Sequence, residues 1–317
     1  MENKKSLPHD TARWGIVYCP KPGVMHPHKC WEQVREYMEA KGLEYDFVQS
    51  DGAGSVERLT SMLVRNGYTT LVIVGGDGAL GQALNALMAE EQHIRDRISL
   101  GLIPNGRGND FAHFWGLSDE DLSNCIDTLI RHKVRRVDVG KCQWETEDGV
   151  HGLRYFMNCV NVGLAAHIME VKHRAPRFWR ISMFTRPLRR MSILFKRVSQ
   201  HLRIHVNQET IEQNVMTMCI GNAHGYGQTP GAVPYNGLLD VSIVSHPKML
   251  QLLNGLWLLV LGRFLNHPNV RAFRTREKIE VVCQNRACTG IDGNVVNENI
   301  RRMEVSVCRE CLNFIVP

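Results

Sequence analysis

No stretch of this sequence is apolar for long enough to cross a bilayer. One apolar, uncharged run, Met249 to Gly262 ("MLQLLNGLWLLVLG"), is short and is broken by Gln251 and Asn254, so it reads as a buried or interfacial helix. The N-terminal "MENKKSLPHD" lacks the apolar centre of a secretory signal. A cytoplasmic protein, soluble or peripheral at a membrane, is expected. Closely spaced cysteines are scarce. Cys19, Cys30, Cys125, Cys142, Cys159 and Cys219 stand singly, which argues against a disulfide framework and for reduced thiols. Cys283/Cys288 and Cys308/Cys311 lie closer together and leave two readings open, a zinc site or plain buried thiols. Internal repeats, low-complexity segments and base-reading motifs are also lacking, so no nucleic-acid partner is expected.

What is present is a chain of 317 residues, enough for two domains with separate cores, with an ordinary apolar content of 44%. Its formal charge of +6 suits an anionic partner, whether nucleotide, nucleic acid or lipid surface. The first part alternates strand and helix patterns. "WGIVYC", "LEYDFVQS", "YTTLVIV" and "ISLGLIP" read as strands. Between them, "CWEQVREYMEAKG" sets Trp31, Val34 and Met38 on one helical face. "SVERLTSMLVRNG" sets Val56, Leu59, Met62 and Leu63 on another, with Ser55 as its cap. "SDEDLSNCIDTLIRHK" reads as a helix capped by Ser118 or Asp119. This order predicts a parallel sheet with helices on both faces. After about Val134 strand patterns dominate, which predicts an antiparallel, β-rich second domain.

Two turns carry the chemistry. "GGDG" (Gly75–Gly78) follows a buried strand and precedes a helix, and "PNGRGND" (Pro104–Asp110) does the same. "CPKPG" (Cys19–Gly23) is a third turn, after the first strand. Ligands of open α/β sheets bind at the carboxyl ends of the strands, and backbone N–H groups in such turns favour anions. The turns lack the lysine of a P-loop and the G-x-G-x-x-G spacing. One such turn is equally a tight strand–helix connection with Asp77 as a cap; three on one edge point to a nucleotide.

The order GGDG, then P-x-G-x-x-N-D-F-A, then a β-rich part with an Asp-Gly pair near the end resembles the diacylglycerol kinase catalytic domain family, which includes bacterial lipid kinases and sphingosine and ceramide kinases. The resemblance covers about Trp14 to Pro317. "PYNGLLDV" (Pro234–Val241) and "IDGN" (Ile291–Asn294) fall where the family has its later motifs. It implies an α/β N-terminal domain with a parallel sheet, similar to NAD kinases and phosphofructokinases, over residues 11–136, with 312–317 returning to it. A β-rich, antiparallel, sandwich-like domain would span 137–311 and hold the lipid. The cleft between them would bind ATP and Mg²⁺. By position, nucleotide contacts fall at Gly23, Ser50, Gly75, Gly76, Asp77, Gly78, Ala79, Leu80, Gly81, Gly106, Arg107 and Asn109. Metal contacts fall at Val233, Asn236 and Leu238, and the active-site motif at Asp292, Gly293 and Asn294. A homodimer is compatible with the resemblance.

The departures are specific. Ala79 stands for a threonine, Gln82 for a glutamate, Asn236 for the aspartate of the metal turn, and Asn294 for the glutamate of Asp-Gly-Glu. An amide cannot take a proton from a hydroxyl at neutral pH, so Asp292 is the expected base, with capping of the turn at Gly293 as the alternative. The implied reaction is transfer of the ATP γ-phosphoryl group to a lipid alcohol, diacylglycerol or sphingoid in type. The alternatives are a non-catalytic nucleotide- or lipid-binding homologue and an NAD kinase-like nucleotide kinase. Between Lys172 and Arg203, nine basic residues from Lys172 to Arg197 are interleaved with Phe178, Trp179, Phe184, Leu188 and Phe195. That mixture suits an anionic membrane surface, and equally a solvated basic face.

Overall fold

The computed structural model describes residues 13–20, 28–52, 54–106, 108–167, 200–245, 251, 254, 255, 257, 258, 261–284, 287–296 and 299–317. Gly23, Arg107 and the basic stretch from Lys172 to Arg197 lie outside the described residues.

The first lobe runs β1 (Trp14–Tyr18), α1 (Lys29–Ala40), β2 (Tyr45–Gln49), α2 (Ser55–Arg65), β3 (Thr70–Gly75), α3 (Asp77–Ala89), α4 (Gln92–Arg95), β4 (Ser99–Pro104), α5 (Asp110–Phe114) and α6 (Leu122–Arg131). β1 pairs in parallel with β2 and β3, and β3 with β4. β1 and β3 are buried along their whole length, as unbroken apolar runs covered on both faces should be.

Helix ends depart from the sequence reading in instructive ways. Ser55 does not cap α2; Gly54 does so with φ +80°, and the Ser55 hydroxyl donates to the Gly52 carbonyl at 2.7 Å. Met62 is 37% exposed, and Val64 is buried on that helix. α6 is capped by Asp121, whose carboxylate accepts the Asn124 N–H at 3.1 Å, not by Ser118 or Asp119.

The second lobe contains β5 (Val134–Thr146), β6 (His151–Phe156), β7 (Cys159–Gly163), β8 (Gln200–Val206), β9 (Glu209–Gly221), β10 (Leu239–Ser245), β11 (Val270–Thr275), β12 (Ile279–Cys283), β13 (Thr289–Ile291), β14 (Asn294–Val296) and β15 (Ile300–Ile315). Its strand pairs are antiparallel. β15 serves both lobes. It pairs antiparallel with β5 and β12, then lies parallel to β4 at Asn313↔Ser99 and Phe314↔Leu100. Two apolar clusters result, one around β1, β3 and β4, the other between the second-lobe strands. Phe314 belongs to the first and meets Phe111 edge-on at 5.1 Å.

Polar side chains also join the lobes. Asn85 of α3 pairs with the edge of β6 as a strand would: its amide donates to the Tyr155 carbonyl and its oxygen accepts the Tyr155 N–H, both at 2.9 Å. Phe114 stacks edge-on with His224 at 5.1 Å, and Trp115 lies 5.6 Å from Tyr235.

Candidate active site

The two glycine turns touch at the carboxyl ends of β3 and β4. A Cβ on Gly76 would stand 2.8 Å from the Gly106 Cα, and one on Gly106 would stand 2.6 Å from the Gly76 Cα. Neither needs a left-handed backbone; Gly76 has φ −103°. These glycines are required by close approach of two backbones, not by conformation. The Gly106 N–H donates to Asn109 Oδ1 at 2.8 Å, which closes the second turn. Asn109 itself is left-handed, with φ +57°. The Asn105 amide reaches the Cys19 carbonyl at 3.0 Å and ties in the first turn. Ser50 lies on the same edge. Its N–H donates to the Tyr18 carbonyl at 2.8 Å, and its hydroxyl lies 3.1 Å from that of Ser55. Ala79 and Leu80 donate their N–H groups back to the Gly76 carbonyl. Leu80 points into the core.

Asp77 caps a helix, but not its own. Its carboxylate accepts the N–H groups of Asp110 and Phe111, each at 3.1 Å, and so holds the start of α5. Asn158 of the second lobe adds its amide to Asp77 Oδ1 at 3.1 Å. Asp110 Oδ2 is buried and has no hydrogen-bond partner among the described residues. Burial, then the Asp77 charge, pushes the Asp110 carboxyl up to about 6.

The other half of the site is a hairpin. Asp292 and Gly293 form the two-residue turn between β13 and β14, with φ +44° and +79°, the left-handed pair that such a turn requires. The Asp292 carboxylate is 3% exposed and accepts three backbone N–H groups: Met157 at 2.6 Å, Asn158 at 2.9 Å and Cys159 at 3.0 Å. Burial pushes its carboxyl up to about 7, against the pull of those three donors. The hairpin packs on the first turn of α3. A Cβ on Gly81 would stand 3.4 Å from the Asp292 Cβ, and one on Gly78 would stand 3.4 Å from Asn294 Oδ1. Gly78 and Gly81 therefore admit the second lobe to the helix. Tyr226 closes the group. Its phenol lies 3.1 Å from where a Cβ on Gly293 would sit, and burial, then Cys159 and Asp77, holds it well above the ordinary tyrosine range.

The turn at Val233, Asn236 and Leu238 is closed on itself. The Val233 carbonyl accepts the Tyr235 N–H at 2.8 Å, and Asn236 Oδ1 accepts the Leu238 N–H at 2.9 Å. Asp138 takes the Gly237 N–H at 2.6 Å from below, and the Arg309 side chain packs against Gly237. Both a carboxylate, Asp138, and a guanidinium, Arg309, thus lie beside this turn, and Asn236 spends its side-chain oxygen on the turn itself. Among the described residues no three His, Cys, Asp or Glu side chains group as a metal cage. Of the two readings open for these cysteines, a zinc site shared by the two pairs does not fit the register: Val282 pairs with Arg302, so Cys283 and Cys308 lie roughly 23 Å apart along the sheet at ~3.3 Å per residue.

Sequence reasoning brought Asp77 and Asp292 into view but missed Asn158, the orphaned carboxylate oxygen of Asp110, Tyr226, Asn85 and Asp138. The available signal was the asparagine in "FMNCVNVG", a polar residue inside an apolar strand pattern.

Two families match consecutive parts of the chain. The diacylglycerol kinase catalytic domain matches residues 13–142, and the YegS C-terminal NAD kinase beta sandwich-like domain matches residues 158–315. A diacylglycerol kinase of Staphylococcus saprophyticus is 24% identical over 261 residues, 80% of each chain. One of Bacillus subtilis is 21% identical over 284 residues, 88% of each chain. The crystal structure of a diacylglycerol kinase from Bacillus anthracis superposes with a TM-score of 0.66 at 13% identity, covering 96% of this chain and 97% of the other. Yeast NADH kinase complexed with NADH gives 0.55 at 8% identity, covering 99% and 88%, a likeness of fold.

Proposed function

This chain belongs to the diacylglycerol kinase catalytic domain family, and from that premise we propose that it transfers the γ-phosphoryl group of ATP to the hydroxyl of a lipid alcohol. The observation that carries the reading is the meeting of Gly76 and Gly106 near Asp110, whose buried Oδ2 has no partner among the described residues. The two backbones form one bare edge where phosphates would lie, lined by Gly75, Gly76, Gly106 and Asn109. A Mg²⁺ ion would fit the partly buried Asp110 carboxylate, whose Oδ2 has no partner among the described residues, since Mg²⁺ takes one or two carboxylates and completes its shell with phosphate and water. When bound it would neutralise phosphate charge.

The chain's own residues do the rest by position. Asp77 fixes α5, and so aims Asp110. Asp292 anchors the hairpin through three N–H groups and is sealed from an incoming hydroxyl, so it acts as a positioning residue. Asn294 presents an amide at the start of α3, able to orient a hydroxyl but not to deprotonate it. Phosphoryl transfer through a loose transition state asks more of positioning than of a base, which is compatible with a slow kinase. The basic, aromatic stretch around Arg186, Arg189 and Arg190 would supply contact with an anionic bilayer, on its composition.

Asn294 also favours a second reading, a homologue that binds nucleotide without turnover. ATP turnover with mixed vesicles containing diacylglycerol or a sphingoid base tests both. Lipid-stimulated phosphorylation supports the kinase; ATP binding without any product supports the second reading. Phosphorylation of NAD with none of lipid overturns both.

A further inference from the structure

Two thiols meet where β15 passes from the second lobe to the first. Against β5, Cys308 pairs with Val139 and Leu312 with Val137, so Arg309, Glu310 and Cys311 stand opposite Asp138 alone. This bulge is held at Glu310 and Cys311. Glu310 is left-handed at φ +46°, its N–H donates to Asp138 Oδ1 at 2.8 Å, and its carbonyl accepts Arg136 Nε at 2.7 Å. The Cys311 carbonyl accepts Arg95 Nε at 3.1 Å.

The bulge folds Cys311 back onto Cys308. The Cys311 thiol lies 3.4 Å from the Cys308 carbonyl oxygen, and the two side chains are hydrogen-bonded to each other. Both are partly exposed. Lys141 and Arg95 face the pair, and Tyr155 stands beside it. The Cys311 hydrogen bond, against burial and with help from the two cations, draws the Cys308 thiol down to about 7; the same bond holds Cys311 up. The thiolate is the nucleophile in disulfide exchange; Cys311 keeps its proton by donating to the Cys308 carbonyl, which leaves Cys308 to attack and Cys311 to resolve. Other thiols are arranged differently: burial pushes Cys142 and Cys283 up to about 12.

We propose that Cys308 and Cys311 form a redox-active dithiol that closes to a disulfide within the bulge joining the two lobes. The oxidant is a small-molecule disulfide. The Cys308 thiolate attacks one of its sulfurs, forms a mixed disulfide and expels the first small thiolate. Cys311 then gives up its proton and attacks the Cys308 sulfur, forming the protein disulfide and expelling the second. Two protein thiols are oxidised by two electrons, and one small disulfide is reduced to two thiols.

The test uses the full chain, treated with oxidised glutathione, then alkylated in denaturant and digested with trypsin without reductant. Cleavage after Arg309 separates the two cysteines unless a disulfide joins them. The expected result is a linked pair of peptides, with loss of alkylation at both positions and its return after reduction. Cys311→Ser should trap glutathione on Cys308, and Cys308→Ser should leave Cys311 without the adduct. Full alkylation of both cysteines in treated parent, or a glutathione adduct in Cys311→Ser at other cysteines but not at Cys308, overturns the proposal.

Discussion

Asn158 donates its side-chain amide to Asp77 across the lobe boundary, at 3.1 Å, from a position with no exposed surface. Its backbone N–H meanwhile goes to Asp292. One residue thus ties the carboxylate behind the glycine turns to the carboxylate under the hairpin. Asn158→Ala removes a donor from the half-buried Asp77 carboxylate, which costs about 1–3 kcal/mol. Asn158→Asp keeps the shape but sets a third carboxylate against Asp77, so its loss should be larger at neutral pH and smaller in acid. Urea unfolding at neutral and mildly acidic pH measures both. Parent-like midpoints for the two variants would show that the lobes are coupled elsewhere.

The contact of Gly76 with Gly106 separates two neighbouring glycines by function. A Cβ on Gly106 would come within 2.5 Å of Asn109 Oδ1 as well as meeting Gly76, whereas one on Gly108 would meet only Asp77 Oδ2, at 3.4 Å. Gly106→Ala should therefore spread the two turns and weaken ATP binding by about tenfold or more, the equivalent of ~1.4 kcal/mol. Gly108→Ala should bind ATP nearly as the parent does. Calorimetry with both variants decides it, and equal affinities would remove the turns from the nucleotide site.

Asp110 gives a pH dependence of definite sign. Its carboxyl is raised from 3.8 to about 6 in the fold, so the native state keeps the proton longer than the unfolded chain. Its contribution to stability is fully present below about 3.8 and is lost as pH rises through about 6. Asp110→Asn abolishes that loss. The melting temperature of the variant, relative to the parent, should climb across this window. A constant difference would mean that Asp110 is not held in a buried, like-charged setting.

What could be read in the sequence follows what depends on near neighbours. β3 and β4 were legible because strands covered on both faces are continuous apolar runs, and Trp31, Val34 and Met38 because one helix face repeats. The turn of the β13–β14 hairpin was legible as an Asp-Gly pair. The partners of its aspartate were not: Met157, Asn158 and Cys159 are set against Asp292 by the pairing of β13 with β7. The same holds for Asp77, which sequence order assigns to its own helix. The sheet instead places α5 beside it, where two free N–H groups start a helix without a side-chain cap of its own.

The hairpin residues Asp292 and Asn294 make opposite predictions. Asp292 uses both carboxylate oxygens on buried N–H donors, so Asp292→Asn turns an amide NH₂ toward donors and leaves at least one unpaired. Stability should fall by about 1–3 kcal/mol, and any lipid phosphorylation should fall with it. A free base would behave differently: transfer would vanish while the melting temperature held. Asn294 lies against the first turn of α3, 3.4 Å from where a Cβ on Gly78 would stand. Asn294→Glu puts a carboxylate at a helix N-terminus, where a negative charge is favoured, and supplies a group able to take the acceptor's proton. Phosphorylation of vesicle lipid should rise, toward the roughly 10²- to 10⁴-fold that a general base typically contributes, with ATP affinity little changed. If Asn294→Glu lowers transfer instead, the charge beside buried Asp292 is the dominant effect, and the amide at this position is part of a working site rather than a lost base.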